Sequence, residues 1–194
     1  MGNIAVFLDR DGVIIKHVPD IHKMEDIDIF SFSAEAIRIL NELHLLVVVV
    51  TNQPQVARGY LTEEDLKKMN NKIVGELKDD GAKIDAVYYC PHHPDKGFPG
   101  EKKEYKIECN CRKPKIGMVE GATKRFDIDL SKSFIVGDST VDIKTGENVK
   151  QKYPGFRTIL VKTGLAGRDG RYLVHEDFTA ENLLDAAKLI KGLY

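Results

Sequence analysis

Ile4-Ala5-Val6-Phe7-Leu8-Asp9-Arg10-Asp11-Gly12 is the stretch that decides how this chain is read. Ile4–Leu8 is an apolar run of strand length, and Asp9–Gly12 is a polar break ending in a turn-forming glycine. The pattern recurs along the chain. Leu45–Val50 is a second apolar run, ended by Thr51-Asn52-Gln53-Pro54, and Ser133–Val136 is another, closed by Gly137-Asp138. Ile84–Tyr89 and Thr158–Val161 supply the third and fifth strands in chain order.

Helical spacing fills the gaps. Ala36, Ile39, Leu40 and Leu43 follow Ser33, a potential cap, and Leu66, Met69, Ile73 and Leu77 follow Thr62, a second one. Ile116, Val119, Ala122 and Phe126 mark a third helix, expected to be opened by Lys113, and Val141–Asn148 a fourth. Thr179 is expected to cap the last helix, whose apolar face is Leu183, Leu184, Ala187 and Ile190. Strands alternating with helices predict an α/β fold with a doubly wound, mainly parallel, Rossmann-like sheet covered on both faces. A length of 194 residues suits one domain over 1–194, with a long loop over about 90–114 and no insertion large enough for a cap domain.

Composition narrows the function classes. The formal net charge is -1, which gives no bulk electrostatic case for binding nucleic acid or an anionic membrane. No apolar run is long enough to span a bilayer and no secretory leader is evident, so a cytoplasmic location is expected. The three cysteines, Cys90, Cys109 and Cys111, are an odd number clustered within a short span, which suits a metal site better than a disulfide framework.

In doubly wound sheets, ligands sit at the carboxyl ends of the strands. Asp9 and Asp11 follow strand one, Thr51 follows strand two, and Asp138 follows strand four with Asp142 one helical turn on. Lys113 precedes strand four. Each alone has an ordinary explanation: a solvated turn, a cap, a surface lysine. Together they make a chemically complete set for phosphoryl transfer. A carboxylate attacks an anionic phosphate only when a cation screens both, and Asp9 and Asp138 offer the hard oxygens that Mg²⁺ takes. Thr51 and Lys113 can bind the remaining phosphoryl oxygens. Asp11 can protonate the leaving oxygen and later deprotonate water.

The residues Phe7-Leu8-Asp9-Arg10-Asp11-Gly12, Thr51-Asn52-Gln53, Lys113 and Gly137-Asp138-x-x-x-Asp142 resemble the haloacid dehalogenase superfamily of phosphatases. The resemblance implies the sheet order 3-2-1-4-5. It also implies Asp9 as nucleophile, Asp11 as acid and base, and Mg²⁺ held by Asp9, the Asp11 carbonyl and Asp138. A phosphoacceptor receiver domain is the competing class, but its aspartate would follow strand three, where this chain has Cys90.

Cys90-Pro91-His92-His93-Pro94 and Cys109-Asn110-Cys111 supply a Cys₃His set of Cys90, His92, Cys109 and Cys111, with His93 open as a substitute for His92. Thiolates and imidazole suit Zn²⁺, and four protein ligands leave no open position, so the site is expected to be structural. The two segments are similar to the branch of the superfamily that holds histidinol-phosphate and sugar-bisphosphate phosphatases, whose ligands match Cys90, His92, Cys109 and Cys111. That branch implies Asn52, Arg58, Arg112 and Lys113 near the substrate. It implies a small phosphorylated sugar, first the 7-phosphate of D-glycero-D-manno-heptose 1,7-bisphosphate, with histidinol phosphate as the alternative. No nucleic-acid or membrane partner is expected, and a monomer is.

Overall fold

A computed structural model of the chain describes residues 2–193. Six strands form one parallel sheet: β1 (Ala5–Leu8), β2 (Leu46–Asn52), β3 (Ala86–Cys90), β4 (Phe134–Gly137), β5 (Arg157–Val161) and β6 (Phe178–Ala180). Their order is β3-β2-β1-β4-β5-β6. The expected order 3-2-1-4-5 is therefore present, extended by a strand not foreseen. Four α-helices connect β1 to β5 in turn, α1 (Ser33–Glu42), α2 (Glu63–Asp79), α3 (Gly117–Phe126) and α4 (Thr140–Lys150), and α5 (Leu183–Leu193) follows β6. Among the described residues no helix is long and apolar enough to cross a membrane, and no inserted segment forms a cap domain.

The sheet is buried on both faces, so its central strands are apolar throughout rather than alternating. Val6, Leu8, Val47, Val49 and Val136 face a core shared with α1, α2 and α5. Ala5, Phe7, Val48, Val50 and Ile135 face the opposite core with α3. The register aligns Leu8 with Val49 on one side and Val136 on the other, so the residues following these strands share one edge.

Three helix starts differ from the sequence reading. Thr179 lies in β6, paired with Leu160, and the Asn182 side chain accepts from Asp185 N–H at 3.0 Å as the cap of α5 instead. Ser33 does not cap α1. Its hydroxyl donates to the Ile14 carbonyl at 2.8 Å, fastening the chain after β1 to the helix. Lys113 does not open α3, which begins four residues later at Gly117, because Asn52 grips the Lys113 backbone at both its N–H and C=O. Thr62 does cap α2, in a reciprocal box with Asp65.

Two helical glycines separate propensity from packing. A Cβ on Gly75 in α2 would meet nothing within 4 Å, whereas one on Gly146 in α4 would lie 2.2 Å from Thr158 Cγ2 and 2.8 Å from Ile135 Cγ2. The first site gains only helix propensity, and the second presses a helix off its sheet. Gly75→Ala is expected to stabilise the fold by about 0.5–1 kcal/mol. Gly146→Ala is expected to destabilise it by roughly 1–3 kcal/mol despite the same propensity gain. Urea unfolding midpoints of the two variants check the opposite signs.

Candidate active site and metal centre

The carboxyl edge of β1, β2 and β4 opens into a cleft lined by Asp9, Asp11, Thr51, Asn52, Arg58, Arg112, Lys113, Asp138 and Asp142, among others. Its volume is about 210 Å³, of the order of a small phosphorylated metabolite. The structure thus gathers the acidic, hydroxyl and basic residues singled out in the sequence at one place.

Lys113 sits at the centre of it. The side chain is 3% exposed, and its ammonium lies 3.0 Å from Asp9 Oδ1 and 2.5 Å from Asp142 Oδ1. Asp142 also closes the capping box of α4, whose N-cap is Ser139: its Oδ2 accepts from the Ser139 hydroxyl at 2.5 Å and the Ser139 N–H at 3.2 Å. Its charge is thereby spent on Lys113 and the helix start. Burial works against the Lys113 charge, but Asp142 and Asp9 overcome it and hold the ammonium above the usual lysine range.

Asp138 is 1% exposed. Its Oδ2 accepts from Leu165 N–H at 2.7 Å, and its backbone carbonyl accepts from Gly167 N–H at 2.7 Å. Room for its carboxylate depends on two glycines with positive φ. A Cβ on Gly12 would lie 2.2 Å from Asp138 Oδ2, and one on Gly164 2.1 Å from it. The loop between β5 and β6, which contributes none of the candidate residues read from the sequence, therefore forms a wall of the site. Asp169 of that loop accepts from Thr140 N–H and from its hydroxyl, both at 2.7 Å, which brings Arg171 into the cleft lining.

Ligand atoms of Asp9, Asp138 and Asp142 lie within 4.8 Å of one another. Three carboxylates face one ammonium, so the cluster carries excess negative charge. Burial, with Asp142 and Asp11 adding to it against Lys113, pushes Asp9 up to about 6. Burial, then Asp142 and Asp9, pushes Asp138 up to about 8. Asp9 Oδ1, buried, has no hydrogen bond among the described residues beyond its ion pair with Lys113. Hard oxygen donors short of positive charge fit a divalent cation such as Mg²⁺.

The cysteine cluster lies beside this cleft. Sγ of Cys90 is 3.1 Å from that of Cys111 and 3.5 Å from that of Cys109, and Cys111 is 3.3 Å from Cys109 and from His92 Nδ1. These separations exceed a disulfide bond and approach the ~3.7 Å edge that a Zn–S distance of about 2.3 Å gives a tetrahedron. All three cysteines are free. The hydrogen bond shared with Cys90, against burial, pulls the Cys111 thiol down to about 5, which favours a thiolate ligand. His92 belongs to the cluster and His93 does not: the His93 ring accepts from Asp95 N–H at 3.1 Å and is pushed down to about 4, chiefly by burial.

The two sites are physically joined. Arg112 donates to the His92 carbonyl at 3.1 Å, immediately beside the cysteine cluster. Arg58 pairs with Asp20 and lies over the Phe98 ring of the cysteine loop, 4.7 Å from its centroid. Glu63 of α2 accepts from Tyr89 of β3 and from Tyr105 of the loop, at 2.7 and 3.0 Å.

A family model described as HAD-hydrolase-like matches residues 110–186. Relatives match nearly the whole chain, and the chain belongs to the haloacid-dehalogenase-like hydrolase family. Within it, the chain is similar to the D-glycero-beta-D-manno-heptose-1,7-bisphosphate 7-phosphatase of Pasteurella multocida, 38% identical over 97% of each chain. It is also similar to a D-glycero-alpha-D-manno-heptose-1,7-bisphosphate 7-phosphatase of Photorhabdus laumondii, 39% identical over 82% of this chain and 83% of that one. The crystal structure of the D,D-heptose 1,7-bisphosphate phosphatase of B. bronchiseptica, complexed with magnesium and phosphate, superposes with a TM-score of 0.81 at 30% identity, covering all of both chains.

The raised carboxylates make a prediction for Mg²⁺. Without the ion, the folded state holds the Asp9 and Asp138 protons more tightly than the unfolded chain does. Their contribution to stability is lost as pH rises through about 6 and then about 8. A cation replaces those protons. The rise in melting temperature on adding millimolar Mg²⁺ to the zinc-loaded protein is expected to be larger near pH 9 than near pH 5. A rise of equal size at both would contradict it.

Proposed function

We propose that the protein is a magnesium-dependent phosphatase acting on a sugar phosphate, specifically the 7-phosphate of D-glycero-D-manno-heptose 1,7-bisphosphate. The observation that carries this reading is one cleft holding both the Asp9–Lys113–Asp138 cluster and three arginines, Arg58, Arg112 and Arg171, in a chain similar end to end to enzymes named for that reaction. The first cluster suits the phosphoryl group that is transferred. The arginines suit a second phosphate on the same sugar.

In this reading Asp9, the Asp11 carbonyl and Asp138 hold Mg²⁺, which when bound screens phosphate and nucleophile from one another. An Asp9 carboxylate oxygen attacks phosphorus, the bond from phosphorus to the sugar oxygen breaks, and Asp11 gives that oxygen its proton. Water then attacks the aspartyl-phosphate. Asp11 takes the water's proton, phosphate leaves, and the Asp9 carboxylate is regenerated. Thr51 and Lys113 bind the phosphoryl oxygens, where a buried ammonium acts in low dielectric. Zn²⁺ on Cys90, His92, Cys109 and Cys111 has no role in the steps. Bound there, it would fix the loop that presents Arg112 and supports Arg58.

The chain is read as a single catalytic unit over 1–194, a monomer, with a small phosphorylated sugar as its partner. Three closely spaced free thiols support a reducing, cytoplasmic setting.

Asp9→Asn is expected to lower turnover at least about a thousandfold with zinc content and melting temperature preserved. Cys109→Ser is expected to do the converse in part, losing zinc and melting earlier. Activity assays with metal analysis on both variants check the division of labour. The kcat/KM for heptose 1,7-bisphosphate is expected to exceed that for heptose 7-phosphate by roughly tenfold to a hundredfold, the worth of a charge-assisted contact. Equal values would remove the arginines from substrate recognition.

A further inference from the structure

Arg10 is among the largest fully buried side chains of the protein, at 2% exposure, and nothing in the chemistry above uses it. Its guanidinium donates from Nε to Asp11 Oδ2 at 3.1 Å and from one terminal nitrogen to Asp11 Oδ1 at 3.0 Å. The same nitrogen donates to Gln53 Oε1 at 2.8 Å, and the other donates to Asn70 Oδ1 of α2 at 2.9 Å. Gln53, 1% exposed, closes the ring. Its Nε2 donates to Asp11 Oδ2 at 2.7 Å and to Thr51 Oγ1 at 2.9 Å.

We infer that Arg10 and Gln53 are positioning residues that fix the Asp11 carboxyl at the floor of the cleft and assign Oδ1 as the oxygen that carries the transferred proton. The inference rests on the acid role of Asp11 stated above. A two-pronged guanidinium contact sets the plane of a carboxyl group, and a second donor from Gln53 removes the remaining freedom. The two oxygens are not equivalent. Oδ2 accepts from both Arg10 and Gln53, which fills its capacity, whereas Oδ1 accepts from Arg10 alone and keeps a position free. Asp11 lines the cleft while both clamping side chains lie beneath it.

Stability alone is a poor reason for this arrangement. Burying a guanidinium is costly, and a well-packed apolar side chain often serves a core as well or better. Orientation of a proton donor to within a fraction of an ångström is a service that an apolar residue cannot supply. In the step concerned, the bond from Asp11 Oδ1 to its proton breaks as the sugar oxygen separates from phosphorus and takes that proton, while an Asp9 oxygen bonds to phosphorus.

A leaving group that departs readily as an anion needs no such proton. The test compares kcat/KM, which ends at formation of the aspartyl-phosphate, for the heptose bisphosphate and for p-nitrophenyl phosphate. Gln53→Met and Arg10→Lys are expected to lower the sugar value at least about tenfold more than the p-nitrophenyl value, with Mg²⁺ affinity unchanged. Equal losses on both substrates would overturn the inference and leave the clamp structural. Should Arg10→Lys not fold, Gln53→Met decides alone. Asp11→Asn serves as the reference: selective loss there with none in the clamp variants sinks the clamp, whereas no selectivity in Asp11→Asn sinks the acid role itself and the inference with it.

Discussion

The buried ammonium of Lys113, held between Asp9 and Asp142, is the contact on which the site depends. Its charge opposes the burial that raises the Asp9 carboxyl. Without it, burial and three neighbouring carboxylates would keep protons on the cluster. It also uses up Asp142, whose other oxygen is bonded to Ser139 in the capping box of α4, so that Asp9 and Asp138 remain as the under-compensated pair. The position of Lys113 is set by backbone as much as by charge, because Asn52 at the end of β2 fastens both the N–H and the C=O of residue 113.

From that contact the organisation runs outward. The chain carrying Lys113 comes directly from the cysteine cluster, so whatever fixes the cysteines fixes the lysine. Arg112, one residue earlier, is tied to the His92 carbonyl, and Phe98 of the same loop lies against Arg58. A structural zinc ion in the Cys₃His set would therefore bear on recognition through Arg112 and on the placement of Lys113, without itself contacting the reacting atoms. On the far side, the β5–β6 loop is stapled to the active edge by Asp138 and by Asp169 at the start of α4.

Much of this was legible in the sequence, for a physical reason. Fully buried parallel strands are apolar along their whole length, so Ile4–Leu8 and Leu45–Val50 stand out, and the polar residues that end them fall at the ligand-binding edge. The Cys₃His spacing is equally conspicuous. What was hidden depends on contacts between residues far apart in the chain. β6 is three residues long at the sheet edge, with Phe178, Thr179 and Ala180 giving no apolar run, so Thr179 looked like a cap. The bonds of Asp138 to Leu165 and of Thr140 to Asp169 span 27 and 29 positions, and no local spacing announces them. Gly164 and Gly167 were the available signal, since glycines clustered after a strand mark close backbone approach. Arg10 and Gln53 sat inside quoted motifs, but their spacing does not reveal that both side chains turn inward to meet Asp11.

The account stands on Asp9 as the atom source for the bond to phosphorus. A crystal structure of the protein with Mg²⁺ and beryllofluoride, which mimics a phosphoryl group attached to a carboxylate, addresses it directly. The account predicts beryllium bonded to an Asp9 carboxylate oxygen, with its fluorines facing Thr51 and Lys113. Beryllium bonded to another side chain, with Asp9 turned out of the cleft, would contradict it.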